Sequence, residues 1–476
     1  MYLGLDLGTS GLKGVVIDDA QNVVAQATAP LSVTRPHAGW SEQDPASWIN
    51  AAEKVLGAIE PAVRTKISAI GLSGQMHGAT LLNAEDAPLA PCILWNDTRS
   101  AKEAAEMDAD ADWRAVSGNI VFPGFTAPKL AWQRANNAAL FDQIAKVLLP
   151  KDYLRLWLTG EYASDMSDAA GTSWLDTGAR DWSDALLAKT QLTRDHMPRL
   201  VEGSEVSGTL RPTLAAQFGM HEVPVAGGGG DNAASAVGLG VASPGQGFVS
   251  LGTSGVLFAA TEAYAPDPET AVHTFCHALP DMWHQMGVIL ACTDALNWAA
   301  GLVGSDAAGL TSSLGPLEAP TGALFLPYLG GERTPLNSAS IRGGWFGIDH
   351  SADSTALART VVEGITFALT DCRDALYATG TRIDRLLATG GGTASDYWLS
   401  ALATSLELPL ELPENSDIGA AFGAARLGMM AATGDTSIAI LPKIAKTIEP
   451  NQALVPSFRD AHARYQAAAK TLKELS

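Results

Sequence analysis

"DLGTSG" (residues 6–11) and "SLGTSG" (residues 250–255) are one turn written twice, and the repetition decides the fold. The first copy lies between YLGLD and LKGVVID, the second between GFVS and VLFAAT. Short runs of Val, Ile, Leu and Phe broken by Gly, Thr and Ser read as β-hairpins. In the first half a DAQN turn and VVAQATAPL follow, which predicts three consecutive antiparallel strands, then a helix over Pro45–Leu56 with Asp44 as its N-cap. "ISAIGLSGQMHGATLLN" (67–83) predicts a strand, a glycine-bearing turn and another strand. The second half opens after "VASPGQG" (241–247), a Pro/Gly-rich stretch suited to a domain boundary. It continues with a helical pattern around Leu357–Leu376, the strand "RLLATGGG" (385–392), a small-residue helix "IGAAFGAARLGMMAA" (418–432) and a terminal amphipathic helix over Phe458–Leu475. Two halves headed by the same hairpin predict a duplicated α/β domain with its ligand held between the copies.

The bulk numbers agree with this division. A chain of 476 residues is longer than one hydrophobic core usually grows. Lys and Arg total 31 against 51 Asp and Glu, a formal charge of −20, which argues against nucleic acid or an anionic membrane as partner. Any phosphate must then be met by backbone N–H groups, helix N-termini and a divalent cation. No long apolar run suggests a membrane span, and MYLGLDLGTSG has the alternation of a strand and no basic or continuous apolar segment of an export signal. Cys92, Cys276, Cys292 and Cys372 lack CxxC spacing, so buried thiols in a reducing cytoplasm are expected.

The repeated turn lacks bulk where bulk would obstruct a ligand. Gly8 and Gly11 let a phosphate approach the amides, and Thr9 and Ser10 add hydroxyl donors. Asp6 stands at the end of the preceding strand, where a hydrated Mg²⁺ could be held against those phosphates. A turn that simply favours Gly and Ser explains one copy; two copies heading two similar halves weigh against it. The richest stretch is "VPVAGGGGDNAASAVGLG" (223–240), an apolar strand, four glycines, Asp231-Asn232 and an alanine-rich helix. An isolated Gly-Asp junction is ordinarily a helix cap, but four glycines clear room for a ligand and make Asp231 the candidate general base. "GLSGQMHG" (71–78) sets Gln75, Met76 and His77 on a turn between glycines, where a histidine can reach sugar hydroxyls or a carbonyl. "LATGGGTASDYW" (387–398) runs a strand into Gly390, Gly391 and Gly392, a surface for a flat base or ribose.

Other signals are discounted. His273, Cys276, His277 and His284 do not have the spacing of a zinc site; the segment alternates like a strand, placing His273 and His277 on one face without a closed ligand set. Lys13 reads as an exposed strand lysine. There is no GxxxxGK[ST], GxGxxG or GxSxG, which removes the P-loop, Rossmann and α/β-hydrolase readings in their motif form.

"DLGTSG" (6–11), "LGTSG" (251–255) and "LATGGG" (387–392) resemble the phosphate-1, phosphate-2 and adenosine motifs of the superfamily of actin, sugar kinases and heat-shock ATPases. Within it, "TRPHAGWSEQDP" (34–45), "GQMHGATLL" (74–82), "LWNDTRS" (94–100), "PGFTAPKLAW" (123–132), "LLPKDYLRLWLTGE" (148–161), "SDMSDAAGT" (164–172), "GGGDNAASAVG" (228–238) and "GERTP" (331–335) resemble the FGGY carbohydrate kinases across nearly the whole chain. The resemblance implies an α/β protein of two ribonuclease H-like, actin-like ATPase domains with an interdomain cleft. An N-terminal domain (1–243) would hold the sugar site, the phosphate-1 turn and the catalytic Asp, and a C-terminal domain (244–476) the phosphate-2 and adenosine motifs. By it, Asp231 is the base, and Gln75, Met76, His77, Asp231 and Asn232 form the sugar site. Gly8, Thr9, Ser10, Gly252, Thr253, Ser254, Gly390, Gly391 and Gly392 line ATP, and Asp6 holds Mg²⁺ through water.

The implied acceptor is a small sugar, D-xylulose, phosphorylated at its 5-hydroxyl. Ribulose, gluconate and glycerol represent the same chemistry on another acceptor; glycerol is disfavoured because glycerol kinases carry Asn-Gln-Arg-Glu-Thr where this chain has SGQMHG. The competitor from another class is an actin- or chaperone-like ATPase switch, which has no need of an acid at 231 for a sugar hydroxyl. The implied protein is cytoplasmic, binds neither nucleic acid nor membrane, and allows a homodimer. Two positions depart from symmetry or pattern: Ser250 replaces the acid in the second turn, and Gln133 stands where the family has an aliphatic residue, which puts the packing of that helix in question.

Overall fold

The computed structural model describes residues 1–350, 352–415 and 418–475. Two mixed sheets are built, one from residues 2–230 and one from residues 246–448. In the first, Tyr2–Leu7 and Gly11–Ile17 form the hairpin on the first turn, and Val23–Pro30 extends it antiparallel to the edge. On the other side Ala69–Gly74 lies parallel to Tyr2–Leu7, followed by Pro224–Ala226 parallel and Val206–Thr209 antiparallel. The second sheet repeats this plan. Gln246–Leu251 and Gly255–Thr261 make the hairpin, Trp283–Ile289 extends it antiparallel, and Arg385–Thr389 and Leu410–Pro413 add on the far side in parallel. The order third–second–first–fourth–fifth is thus common to both halves.

Alternation explains how the first strand is used on both faces. Leu3, Leu5 and Leu7 are fully buried in one cluster with Trp48, Val55 and Leu56 of the helix Pro45–Ala58, whose N-cap Asp44 accepts from the Ala46 N–H. Each such leucine contributes about 2 kcal/mol of transfer free energy. The opposite face carries Tyr2, Gly4 and Asp6, and on it lies the helix Ala420–Thr433, which arrives from the second half of the chain. A Cβ on Gly4 would meet Ala421 O at 1.9 Å, and one on Gly71 would meet Ala424 O at 1.7 Å, so the helix backbone rests directly on the sheet. The same helix crosses Asp231–Leu239 with equal closeness: a Cβ on Gly423 would lie 1.7 Å from Ala234 O. Buried Arg426 fastens the crossing by donating to Val237 O and Gly238 O at 2.9 and 3.0 Å.

Other expected elements appear with modest shifts. The long helix runs Ser354–Ala378 and the terminal one Val455–Leu475. Gln133 is buried within the regular helix Thr126–Asn136. The four cysteines are buried and free, and no helix among the described residues is long and apolar enough to cross a membrane. The predicted histidine strand ends early, at Cys276; His277 Nε2 lies 3.1 Å from Val241 O, while His284 stacks on Phe258 at 4.5 Å. Among the described residues these histidines form no metal-ligand cluster.

Candidate active site

Three parallel segments of the first sheet end side by side. Asp6 pairs in register with Ser73, and Ser73 with Gly229, so the turn after Leu7, the turn after Gly74 and the helix after Gly230 open at one rim. Carboxyl ends of parallel strands are where open α/β sheets bind ligands. The rim gathers Asp6, Gly8, Thr9, Ser10, Gln75, Met76, His77, Asp231 and Asn232. Asp231 and Asn232 begin the helix Asp231–Leu239 and are half-buried; Asp231 Oδ1 accepts from the Asn232 backbone N–H at 2.7 Å and from its Nδ2 at 3.0 Å. Burial, then the nearby Asp6 carboxylate, pushes Asp231 up to about 6. Asp6 is raised as well, chiefly by burial, with Ser73 and Lys13 on the flanking strands partly opposing it. Its Oδ1 is buried without a hydrogen-bond partner among the described residues.

A buried charged network fixes the glycine run that presents Asp231. Arg155 donates to Ala226 O at 2.6 Å and Gly227 O at 2.5 Å. Lys151 Nζ sits 2.7 Å from both Asp152 Oδ1 and Asp165 Oδ1 and 3.0 Å from Asp168 Oδ2. Asp165 accepts from the Ser167 hydroxyl, whose oxygen accepts the Gly230 N–H at 3.1 Å. Removing one member of such a network strands a buried charge, which is strongly destabilising.

Met76 and His77 form one wall of the rim. A Cβ on Gly230 would lie 2.8 Å from Met76 Sδ, and one on Gly171 would lie 2.5 Å from the His77 ring, so both glycines are fitted around these side chains. His77 stacks on Phe125 at 4.5 Å. Burial drives its pKa down to about 3, so the ring is neutral, and its Nδ1–H must be the donor to Gly171 O at 2.7 Å. Nε2 is left as an acceptor for a ligand hydroxyl. Gln75 turns elsewhere. Its Oε1 accepts from Thr9 Oγ1 at 2.8 Å and its Nε2 donates to Gln43 Oε1 at 2.9 Å, while Gln43 Nε2 holds Thr9 O at 2.7 Å. Gln75 therefore braces the phosphate-type turn from within the protein.

The second sheet supplies the remaining predicted residues at its own carboxyl rim. Gly252, Thr253 and Ser254 connect its hairpin and are partly or fully exposed, with Gly252 O and Thr253 O accepting from the Thr293 and Cys292 N–H groups at 2.9 and 2.8 Å. Gly390 has φ +91°, and a Cβ there would lie 2.7 Å from the Leu251 carbonyl, so only glycine joins this strand end to the hairpin. At Gly391 a Cβ would meet nothing within 4 Å. Gly391 and Gly392 open onto a pocket of about 520 Å³ bounded by Thr293, Leu296, Thr311, Ser312, Ser395 and Tyr397. A cavity of that size suits a nucleoside.

Residues 1–238 match the N-terminal domain of the FGGY family of carbohydrate kinases, and residues 247–432 match its C-terminal domain. The chain belongs to the FGGY family of carbohydrate kinases. It is 46% identical over 480 residues to a xylulose kinase of Escherichia coli K12, covering 100% of this chain and 98% of that protein. Its structure superposes on that of a "xyloylose kinase" from Brucella ovis with TM-score 0.98 and 60% identity, each chain covered completely. A glycerol kinase of Plasmodium falciparum with ADP, 18% identical and covering 99% of this chain and 97% of that one, shares the fold at TM-score 0.91. The α/β architecture with two sheet-bearing units is that of FGGY kinases, which have the actin-like ATPase fold, and the protein is an ATP-dependent carbohydrate kinase.

Some residues of this FGGY kinase site escape inspection of the sequence. Trp95, exposed beside the first turn, donates from Nε1 to Thr9 Oγ1 at 3.1 Å. Phe125 aligns His77, and Thr311 and Ser312 line the pocket from a helix that carries no motif. The stretches around Gln43, Trp95 and Phe125 fall within the family pattern, a signal that marks the segment without assigning the side chain.

Proposed function

We propose that this kinase transfers the γ-phosphoryl group of ATP to the 5-hydroxyl of D-xylulose, with Asp231 as general base. The observation that carries this reading is Asp231, held by a glycine run at the shared rim, close to Asp6, with a pKa of about 6. Such a carboxylate is ionised at neutral pH and still basic enough to take a hydroxyl proton as attack proceeds. In the step, the sugar oxygen forms a bond to the γ-phosphorus, the bond from that phosphorus to the β,γ-bridging oxygen breaks, ADP leaves, and the hydroxyl proton passes to an Asp231 carboxylate oxygen. Positioning and charge neutralisation supply most of the acceleration. Met76 and His77 orient the sugar, the latter accepting a hydroxyl through Nε2. Backbone amides of the turns at Gly8–Ser10 and Gly252–Ser254 receive phosphates, and Gly390–Gly392 with the 520 Å³ pocket receive the adenosine.

Asp6 suits Mg²⁺ held through water: its Oδ1 is buried and, among the described residues, unpartnered, and a carboxylate oxygen is a hard acceptor for a water of that ion. When bound, Mg²⁺ neutralises charge on the β- and γ-phosphate oxygens. D-Xylulose is favoured as acceptor by the full-length similarity to the E. coli xylulose kinase. The chain divides near residues 243 and 244 into a sugar-binding and a nucleotide-binding unit, with Ala420–Thr433 as the strut that returns to the first sheet. Its free, buried thiols favour a cytoplasmic location. The test is a panel of ketoses and polyols with Mg²⁺-ATP, following ADP release and identifying the product by NMR. D-Xylulose 5-phosphate as the fastest product is expected; faster turnover of ribulose, gluconate or glycerol overturns the acceptor assignment, and ATP hydrolysis indifferent to any sugar overturns the base assignment.

A further inference from the structure

The GERTP stretch (331–335) brings an arginine from the second half of the chain to the wall of the sugar site. The loop is stapled to the second sheet: Thr334 N–H donates to Val288 O at 3.0 Å, Thr334 Oγ1 accepts from the Val288 N–H at 3.1 Å, and Glu332 exchanges backbone hydrogen bonds with Ser338 at 2.8 and 2.9 Å. Glu332 faces inward, its Oε1 accepting from the Leu290 and Arg333 N–H groups at 2.9 and 2.8 Å. Burial pushes that acid up to about 8, with the neighbouring Arg333 charge partly opposing the rise. The Arg333 guanidinium lies over an aromatic ring, its Cζ 4.6 Å from the ring centroid of Phe122. Phe122 lies 5.4 Å from Phe125 and 5.3 Å from His273, and Phe125 carries His77, so the guanidinium caps an aromatic cage whose other members include the sugar-site histidine.

The half-buried guanidinium has no hydrogen-bond or ion-pair acceptor among the described residues. A guanidinium held over an aromatic ring with no protein acceptor keeps its N–H donors open to the oxygens of a ligand. Its charge is felt at His77 and His273, whereas the charge felt at Asp231 is that of Asp6. We propose that Arg333 is a sugar-binding residue supplied by the second half of the chain, donating to an oxygen of the acceptor on the His77 side of the site. Binding of the sugar then joins residues from both halves, Asp231 and His77 from one and Arg333 from the other.

The inference rests on the kinase reading above, and steady-state kinetics of Arg333→Met and Arg333→Lys test it. Loss of a charge-assisted hydrogen bond predicts a rise of about 30-fold in the KM for sugar in Arg333→Met, a smaller rise in Arg333→Lys, and a KM for ATP within about twofold of wild type. Equal rises in both KM values, or an unchanged sugar KM, overturn it. Phe122→Leu separates a merely structural cation–π latch: if it reproduces the sugar-KM rise of Arg333→Met, the arginine acts through packing and the proposal falls. If Arg333→Met fails to fold, Arg333→Lys decides on the same criterion. A wild-type enzyme that phosphorylates no sugar would sink the underlying reading instead, an outcome distinct from a sugar kinase indifferent to position 333.

Discussion

Asp231→Asn in the ligand-free enzyme should raise stability at neutral pH, because the site holds a carboxylate where the fold prefers an acid. An ordinary aspartate titrates near 4, and Asp231 near 6. The folded state therefore binds the proton more tightly than the unfolded chain does. The resulting stability is fully present below about pH 4 and is lost as pH rises through about 6. About two pH units correspond to about 3 kcal/mol, and halving this for solvent screening of a half-buried group leaves about 1.5 kcal/mol. Asparagine keeps an oxygen able to accept from the Asn232 N–H at 2.7 Å and carries no charge, so it recovers that loss without a new defect. For a domain of about 240 residues the expected gain is about 3–6 °C in Tm at pH 8. It should shrink to about a fifth by pH 4, where the wild-type carboxyl is protonated in the fold and half protonated in the unfolded chain. Differential scanning fluorimetry of both proteins at the two pH values measures it. A variant no more stable than wild type at pH 8, or one with the same gain at pH 4, refutes the reasoning.

Three further outcomes follow from the same geometry. The kcat/KM for sugar should fall with unit slope below pH about 6, with no second limb from His77, whose imidazole stays neutral down to about 3; a plateau extending to pH 5 contradicts this. Gly71→Ala forces a Cβ to within 1.7 Å of Ala424 O, and a loss of about 1–3 kcal/mol is expected in urea unfolding; an unchanged midpoint removes the helix from that sheet face. Gln75→Ala removes the acceptor of the Thr9 hydroxyl and one donor to Gln43 Oε1, so the KM for ATP should rise about tenfold and more than that for sugar, the reverse order implying that Gln75 meets the sugar.

Both hairpins were legible because strand period and turn chemistry are local: DLGTSG carries its turn residues and its flanking apolar runs within about fifteen positions. Asp231 was legible for a related reason, since four glycines before an acid imply crowding by a ligand. The partner of Ala420–Thr433 was not. A helix of Ala, Gly and Met reads as buried on every side, and nothing in that pattern says that Gly71 and Gly4 of the first sheet, roughly 350 and 420 residues earlier, leave the room it occupies. Gln75 likewise sits on the same turn as His77, yet its amide points to Thr9 and Gln43, a direction fixed by register between strands rather than by spacing. Arg333 lay in a recognisable stretch, but its reach to Phe122 depends on how the two halves meet.

The most direct measurement pairs nucleotide calorimetry with sugar turnover in Asp231→Asn. A base acting on the acceptor alone predicts an ATP Kd within about threefold of wild type and a loss of about 10²–10⁴ in the rate of sugar phosphorylation. Turnover within about tenfold of wild type, or loss of ATP binding together with turnover, would contradict Asp231 as the group that takes the sugar's proton.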